Sequence, residues 1–160
     1  MGTHHDAILN LWRNLSEAGV EYIMIGGFAV NIHGFSRFTA DVDILIHDTI
    51  ENRKKFRQAL KNAEIGDFNL IETMEIIPRY TTILLDNGME LDIFTSIPGY
   101  ETGAFAELYK TALQTVIEGI SVPFLHLNQL LHSKRISNRP KDIIDIEELE
   151  KIQNTKDKSN

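Results

Sequence analysis

The stretch Tyr22-Ile23-Met24-Ile25-Gly26-Gly27, with Asp41-Val42-Asp43-Ile44-Leu45-Ile46 a short way downstream, decides how this chain is read. An apolar, β-branched run ending in two glycines predicts a strand over residues 21–25, a tight turn, and a helix over 28–33 halted at Gly34. The second run predicts a strand over 40–47. Side chains of an extended chain alternate, so Asp41 and Asp43 project from one face while Val42 and Ile44 point the other way. Two carboxylates a pleat apart repel each other unless something positive lies between them. A hard divalent cation is the common answer, because Mg²⁺ takes one or two carboxylates plus substrate phosphates. Asp92 stands in an equally apolar frame, Leu91-Asp92-Ile93-Phe94. The alternative is a set of solvated strand-edge acids. The glycines upstream and the apolar flanks weigh against it, since acids seldom enter such strands unpaired.

Outward from these runs, apolar residues at a helical period (Ile8, Leu9, Leu11, Trp12, Leu15) predict a helix over 6–18 stopped at Gly19. Residues 49–63 form an amphipathic pattern with Ile50, Phe56, Ala59 and Leu60 on one side. Strand-like runs follow over 70–77, 79–85 and 89–94, the last two joined by Asn87-Gly88, a strong hairpin signal. Residues 97–103 read as a loop, Glu118-Gly119 as a tight turn and 127–137 as a helix. Pro140 suits the first turn of a last helix ending near Ile152. The expected organisation is a single domain over residues 1–152 with a frayed polar tail over 153–160. The fold class expected is α/β (α+β), a mixed sheet with helices mainly on one face.

Composition narrows the function classes. A chain of 160 residues builds one core, and 42% hydrophobic with 24% charged residues is the balance of a globular protein. The apolar runs fall far short of the ~20 residues that span a bilayer, and the start lacks the layout of a signal peptide, so a cytoplasmic, non-membrane protein is expected. The absence of cysteine removes disulfides, thiolate catalysis and Cys-based zinc sites. A net charge of −7 opposes non-specific binding to nucleic acid. Lys134-Arg135, Arg139 and Lys141 form a local basic exception.

The run Ile25-Gly26-Gly27-Phe28-Ala29, then Gly34, Arg37, Thr39, Asp41-Val42-Asp43 and Leu91-Asp92-Ile93, resembles the signature of the nucleotidyltransferase superfamily. It is most similar to the small prokaryotic branch that includes AbiEii-like toxins. The likeness extends to Leu130-Leu131-His132-Ser133-Lys134 and to Arg139-Pro140-Lys141-Asp142-Ile143-Ile144-Asp145. The resemblance implies a polymerase-palm-like core in which a nucleoside triphosphate and two Mg²⁺ ions, or Mn²⁺, meet Asp41, Asp43 and Asp92. It implies that Gly26 and Gly27 begin the helix that receives the triphosphate, with Arg37, Thr39 and Lys134 as further nucleotide contacts. The implied reaction moves a nucleoside monophosphate (NMP) from the triphosphate (NTP) to a hydroxyl-type acceptor, which is RNA, protein or small molecule, releasing pyrophosphate. Gly27 stands where many relatives carry Ser.

The rival expectations are a nucleotide- and metal-binding sensor or toxin–antitoxin component with little transfer activity, and a degenerate interaction module. A homodimer or a partner protein could complete the acceptor site. Arg37 has the alternative of simply pairing Asp41 or Asp43. Lys134, Arg139 and Lys141 have that of a basic helix end complementing Asp142, Asp145, Glu147 and Glu148. His33, His126 and His132 read as packed or capping residues, and Trp12 as a core anchor. Glu90 is excluded from the site on alternation grounds.

Overall fold

Alternation is obeyed along both strands that the sequence marks out. In β1 (Tyr22–Ile25) and β2 (Asp41–Ile46), the residues Tyr22, Met24, Val42, Ile44 and Ile46 enter one apolar cluster. Ile23, Ile25 and Leu45 enter a second cluster on the opposite side. These strands are thus buried on both faces, which explains why they read as near-continuous apolar runs.

The computed structural model describes residues 4–73 and 81–159. Four further strands, β3 (Thr81–Leu84), β4 (Glu90–Phe94), β5 (Leu113–Ile117) and β6 (Ile120–Phe124), extend the sheet. The order is β3-β4-β2-β1-β6-β5. The sheet is mixed: β2 runs parallel to β4 and β1 parallel to β6, while β1–β2, β3–β4 and β5–β6 are antiparallel.

Helices close both faces. On one side α1 (His4–Glu17) and α3 (Ile50–Asn62) bury Leu11, Trp12, Leu15, Phe56, Ala59 and Leu60. Trp12 is fully buried and stacks on Tyr22 with ring centroids 5.7 Å apart, so it anchors the core as expected. The hydroxyl of Thr49 accepts the N–H of Asn52 and caps α3. On the other side lie α2 (Gly26–Ile32), α4 (Phe105–Thr111), α5 (Leu127–Ser137) and α6 (Pro140–Ser159). They contribute Ala29, Val30, Phe105, Leu108, Leu130, Leu131 and Leu149. The expected bias of the helices to one face holds as four against two, and the four lie on the face from which Asp41 and Asp43 project.

Two expectations are revised, and one unassigned segment is resolved. The helix predicted to stop near Ile152 continues to Ser159. The run predicted as a strand over 70–77 begins as a 3₁₀ turn, Asn69–Glu72; residues 74–77 of that run, and 79–80 of the next, lie outside the described residues. Residues 105–117, not assigned from the sequence, form α4 and β5. Strand β5 is an edge strand with Leu113, Gln114 and Val116 all exposed, so it shows no buried stripe for a period-two reading to detect.

Candidate active site

The parallel register of β2 and β4 sets Asp41 opposite Glu90 and Asp43 opposite Asp92. Partners in register share a face, so four carboxylates form a two-by-two grid on the α2 side of the sheet. Oxygens of Asp41, Glu90 and Asp92 lie within 4.8 Å of one another. The exclusion of Glu90 is therefore wrong, and its physical reason is simple parity: residues 90 and 92 differ by two and must point the same way. The neighbouring strand adds Thr82, opposite Asp92, whose hydroxyl donates to Asp92 Oδ1 at 2.6 Å.

Charge is crowded on this grid. Asp43 loses solvation by burial, faces the charges of Asp92 and Asp41, and shares a hydrogen bond with Asp92; its carboxyl is pushed up to about 7, with Lys141 acting in the opposite sense. The all-oxygen donor set of Asp41, Glu90 and Asp92 could hold a cation, and it suits a hard one such as Mg²⁺ or Mn²⁺ rather than a soft metal.

The glycines are dictated by this grid. Gly26 has φ +68° and abuts Asp43 so closely that a Cβ there would stand 2.0 Å from Asp43 Oδ2 and 2.8 Å from Cγ. A Cβ on Gly27 would stand 2.5 Å from Thr39 Oγ1 and 3.2 Å from a terminal nitrogen of Arg37. Thr39 itself donates to the Asp41 carbonyl at 3.1 Å. Gly26 and Gly27 thus line the cleft, and Thr39 is set behind Gly27, bracing the start of β2.

The same cleft is lined by cations. Arg37 is joined to Asp145 through Nε–Oδ1 at 2.7 Å and a second nitrogen to Oδ2 at 2.9 Å. It does not pair with Asp41 or Asp43 as one reading allowed. Lys134 lies 2.9 Å from Asp145 and 3.3 Å from Asp142, and Arg139 Nε lies 2.8 Å from Asp142. Burial opposes ionisation of Asp142, but hydrogen bonds from Arg139 and the charge of Lys134 outweigh it and hold the carboxyl at about 2. Burial likewise opposes ionisation of Asp145, and its bonds to Arg37 and Lys134 bring it below the usual carboxylate range. The cleft has a volume of about 360 Å³ and is lined by all four acids and by Arg37, Lys134, Arg139 and Lys141, with Phe94, Ile97 and Leu130 among its apolar residues.

Acids, cations and the two glycines thus line one cleft together. The family model described as "Nucleotidyltransferase of unknown function (DUF6036)" matches residues 7–157. The chain belongs to this nucleotidyltransferase family. The fold is also that of solved structures of low sequence identity. The lincosamide antibiotic adenylyltransferase LnuA, solved with lincomycin bound, is 18% identical with a TM-score of 0.62, the match covering 91% of this chain and 96% of that one. ANT(2")-Ia, solved with adenylyl-2"-tobramycin, is 15% identical with a TM-score of 0.58, covering 96% and 97%. A Thermotoga maritima protein described as a candidate nucleotidyltransferase is 14% identical with a TM-score of 0.58, covering 92% and 91%. No curated protein matches significantly.

For a nucleotidyltransferase, the site residues read from sequence fall into two groups. Asp41, Asp43, Asp92, Gly26, Gly27, Arg37 and Lys134 all line one cleft, whereas Thr39 braces it from behind. Glu90, Thr82, Asp142 and Asp145 were missed as parts of the same structure. Parity alone would have found Glu90. Asp142 and Asp145, three residues apart on one helix face, carried a period that could have marked them as inward-facing.

Proposed function

We propose that this nucleotidyltransferase moves an NMP from an NTP to a hydroxyl of a small molecule, releasing pyrophosphate, in the cytoplasm. The observation that carries the reading is the meeting, in one cleft, of the Asp41-Asp43-Glu90-Asp92 grid with Arg37, Lys134, Arg139 and Lys141. Carboxylates alone would repel a triphosphate, and cations alone would give no means of activating an acceptor. Both together suit phosphoryl chemistry.

Asp41, Asp43 and Asp92 would hold the divalent cation, Mg²⁺ or Mn²⁺, and when bound it supplies positive charge to the reacting phosphate and lowers the pKa of the acceptor hydroxyl. The chain's own groups do the rest. Asp92, kept in place by Thr82, takes the acceptor proton as the acceptor oxygen bonds to the α-phosphorus. The bond from α-phosphorus to the bridging oxygen breaks, and the leaving pyrophosphate takes up the electron pair against Arg37, Lys134, Arg139 and Lys141. Phe94, Ile97 and Leu130 exclude water, which would otherwise hydrolyse the nucleotide.

A small acceptor is favoured over RNA by the net charge of −7 and by the small molecules named with LnuA and ANT(2")-Ia. The test is calorimetric titration with each of the four NTPs, with and without Mg²⁺, followed by release of pyrophosphate in the presence of hydroxylated compounds. Binding that needs both Mg²⁺ and Asp41, lost in Asp41→Asn while the fold survives, supports the reading. Full binding by Asp41→Asn refutes it.

A further inference from the structure

Two carboxylates that take no part in the proposed chemistry are almost entirely removed from solvent: Asp142 is 0% and Asp145 is 1% exposed. Burying a carboxylate costs several kcal/mol after relaxation, and a well-packed apolar side chain usually serves stability as well. Their burial therefore calls for a reason beyond holding α6 in place. Both partners of Asp145, Arg37 and Lys134, line the nucleotide cleft.

We propose that Asp145 is a positioning residue of the transfer site, fixing Arg37 and Lys134 in the orientation that meets the triphosphate; this inference rests on the nucleotidyl-transfer reading. The donor count supports it. Of the five N–H groups of a guanidinium, Arg37 commits two to Asp145 and one to the carbonyl of Phe38 at 3.1 Å. Two remain for a ligand. Of three N–H groups on an ammonium, Lys134 directs one to Asp145 and one to Asp142, leaving one. The acids therefore hold the cations without exhausting them. Arg139, bonded to Asp142, completes a chain of three cations on two acids that stays net positive. A long side chain already fixed loses less rotamer freedom when it engages phosphate, which is what such an arrangement gains.

The sign of one substitution separates this role from simple electrostatics. Asp145→Asn removes a negative charge beside a polyanion site, so Coulomb attraction alone would tighten binding of Mg²⁺-NTP. A positioning role predicts weakening by about tenfold or more, with NMP binding unchanged, measured by calorimetry on the full chain with the NTP the wild type prefers. Equal or tighter NTP binding overturns the proposal, as does equal weakening of NTP and NMP. Should Asp145→Asn not fold, the same question is put to the wild type by NMR. The Arg37 Nε–H resonance, assigned by its loss in Arg37→Lys, is expected to remain slow to exchange when Mg²⁺-NTP is added, and its collapse on binding overturns the proposal. A wild type that binds no NTP sinks the nucleotidyl-transfer reading and this inference with it, whereas NTP binding that tolerates Asp145→Asn sinks the inference alone.

Discussion

Replacing Asp43 by Asn should stabilise the metal-free protein, by an amount that grows as the pH rises from about 4 to above 7. Asp43 titrates near its ordinary value of 3.8 in the unfolded chain and at about 7 in the folded one, because burial and the charges of Asp92 and Asp41 disfavour its ionised form. Folding thus takes up a proton between those values. Stability falls as the pH rises through that window, and the full cost stands above pH 7. A shift of about three units corresponds to a ceiling of roughly 4 kcal/mol. Because Asp92 shares the hydrogen bond and part of the repulsion, a gain of about 2–4 kcal/mol is expected from Asp43→Asn. For a chain of this size that raises the melting temperature by on the order of 5–10 °C. The assay is thermal or urea denaturation of both proteins with a chelator present, at pH 5 and pH 8.5. The gap at pH 5, where the unfolded carboxyl is already ionised, should be roughly a third of that at pH 8.5, and it should close only below about pH 4. Adding Mg²⁺ at pH 8.5 should stabilise the wild type and leave the variant nearly unmoved. A gap independent of pH, or a variant less stable than wild type at pH 8.5, refutes the account of a strained carboxylate grid.

Other substitutions probe the same construction from different sides. Gly26→Ala drives a Cβ onto the Asp43 carboxylate in a left-handed backbone, so a loss of about 1–3 kcal/mol in urea unfolding is expected together with loss of Mg²⁺-dependent nucleotide binding. Thr82→Val deletes the 2.6 Å hydrogen bond to Asp92; folding stability should change by only ~1 kcal/mol, while Mg²⁺ affinity, followed by calorimetry, weakens by about tenfold. Trp12→Ala removes a fully buried ring stacked on Tyr22 on the far side of the sheet. It should cost about 3–5 kcal/mol by chemical denaturation without altering the affinity of whatever folded protein remains.

The parts of the fold legible in the sequence are those whose signal is local. The strand–glycine–helix unit at residues 22–32, the hairpin at Asn87-Gly88 and the helix Leu127–Ser137 all announce themselves within a few residues. Strands β5 and β6 did not, because the role of β6 depends on pairing beside β1, about a hundred residues away in sequence, at Met24 and Phe124. The acids at 41, 43 and 92 were legible as chemistry out of place in apolar strands. The pairing of Lys134 with Asp142 and Asp145 was legible as a basic helix end, but its burial and the partner of Arg37 were not, because whether a charged residue on α6 faces the core or water is decided by how α5 and α6 fold against each other, through a turn at Asn138 with φ +50°. Those acids read equally well as a solvated helix face.

The register between β2 and β4 has an evolutionary consequence. Distances among the four carboxylates are set by the pitch of a hydrogen-bonded lattice, about 4.8 Å between strands, and that lattice is clamped from beneath by Val42, Ile44, Leu91 and Ile93. Part of the cleft's apolar lining, by contrast, comes from outside the sheet, at Ile97, Pro98 and Leu130. Drift at these residues can reshape that part of the cleft while the carboxylate grid keeps its dimensions, so the shape of the cleft is within reach of few mutations and the spacing of its acids is not.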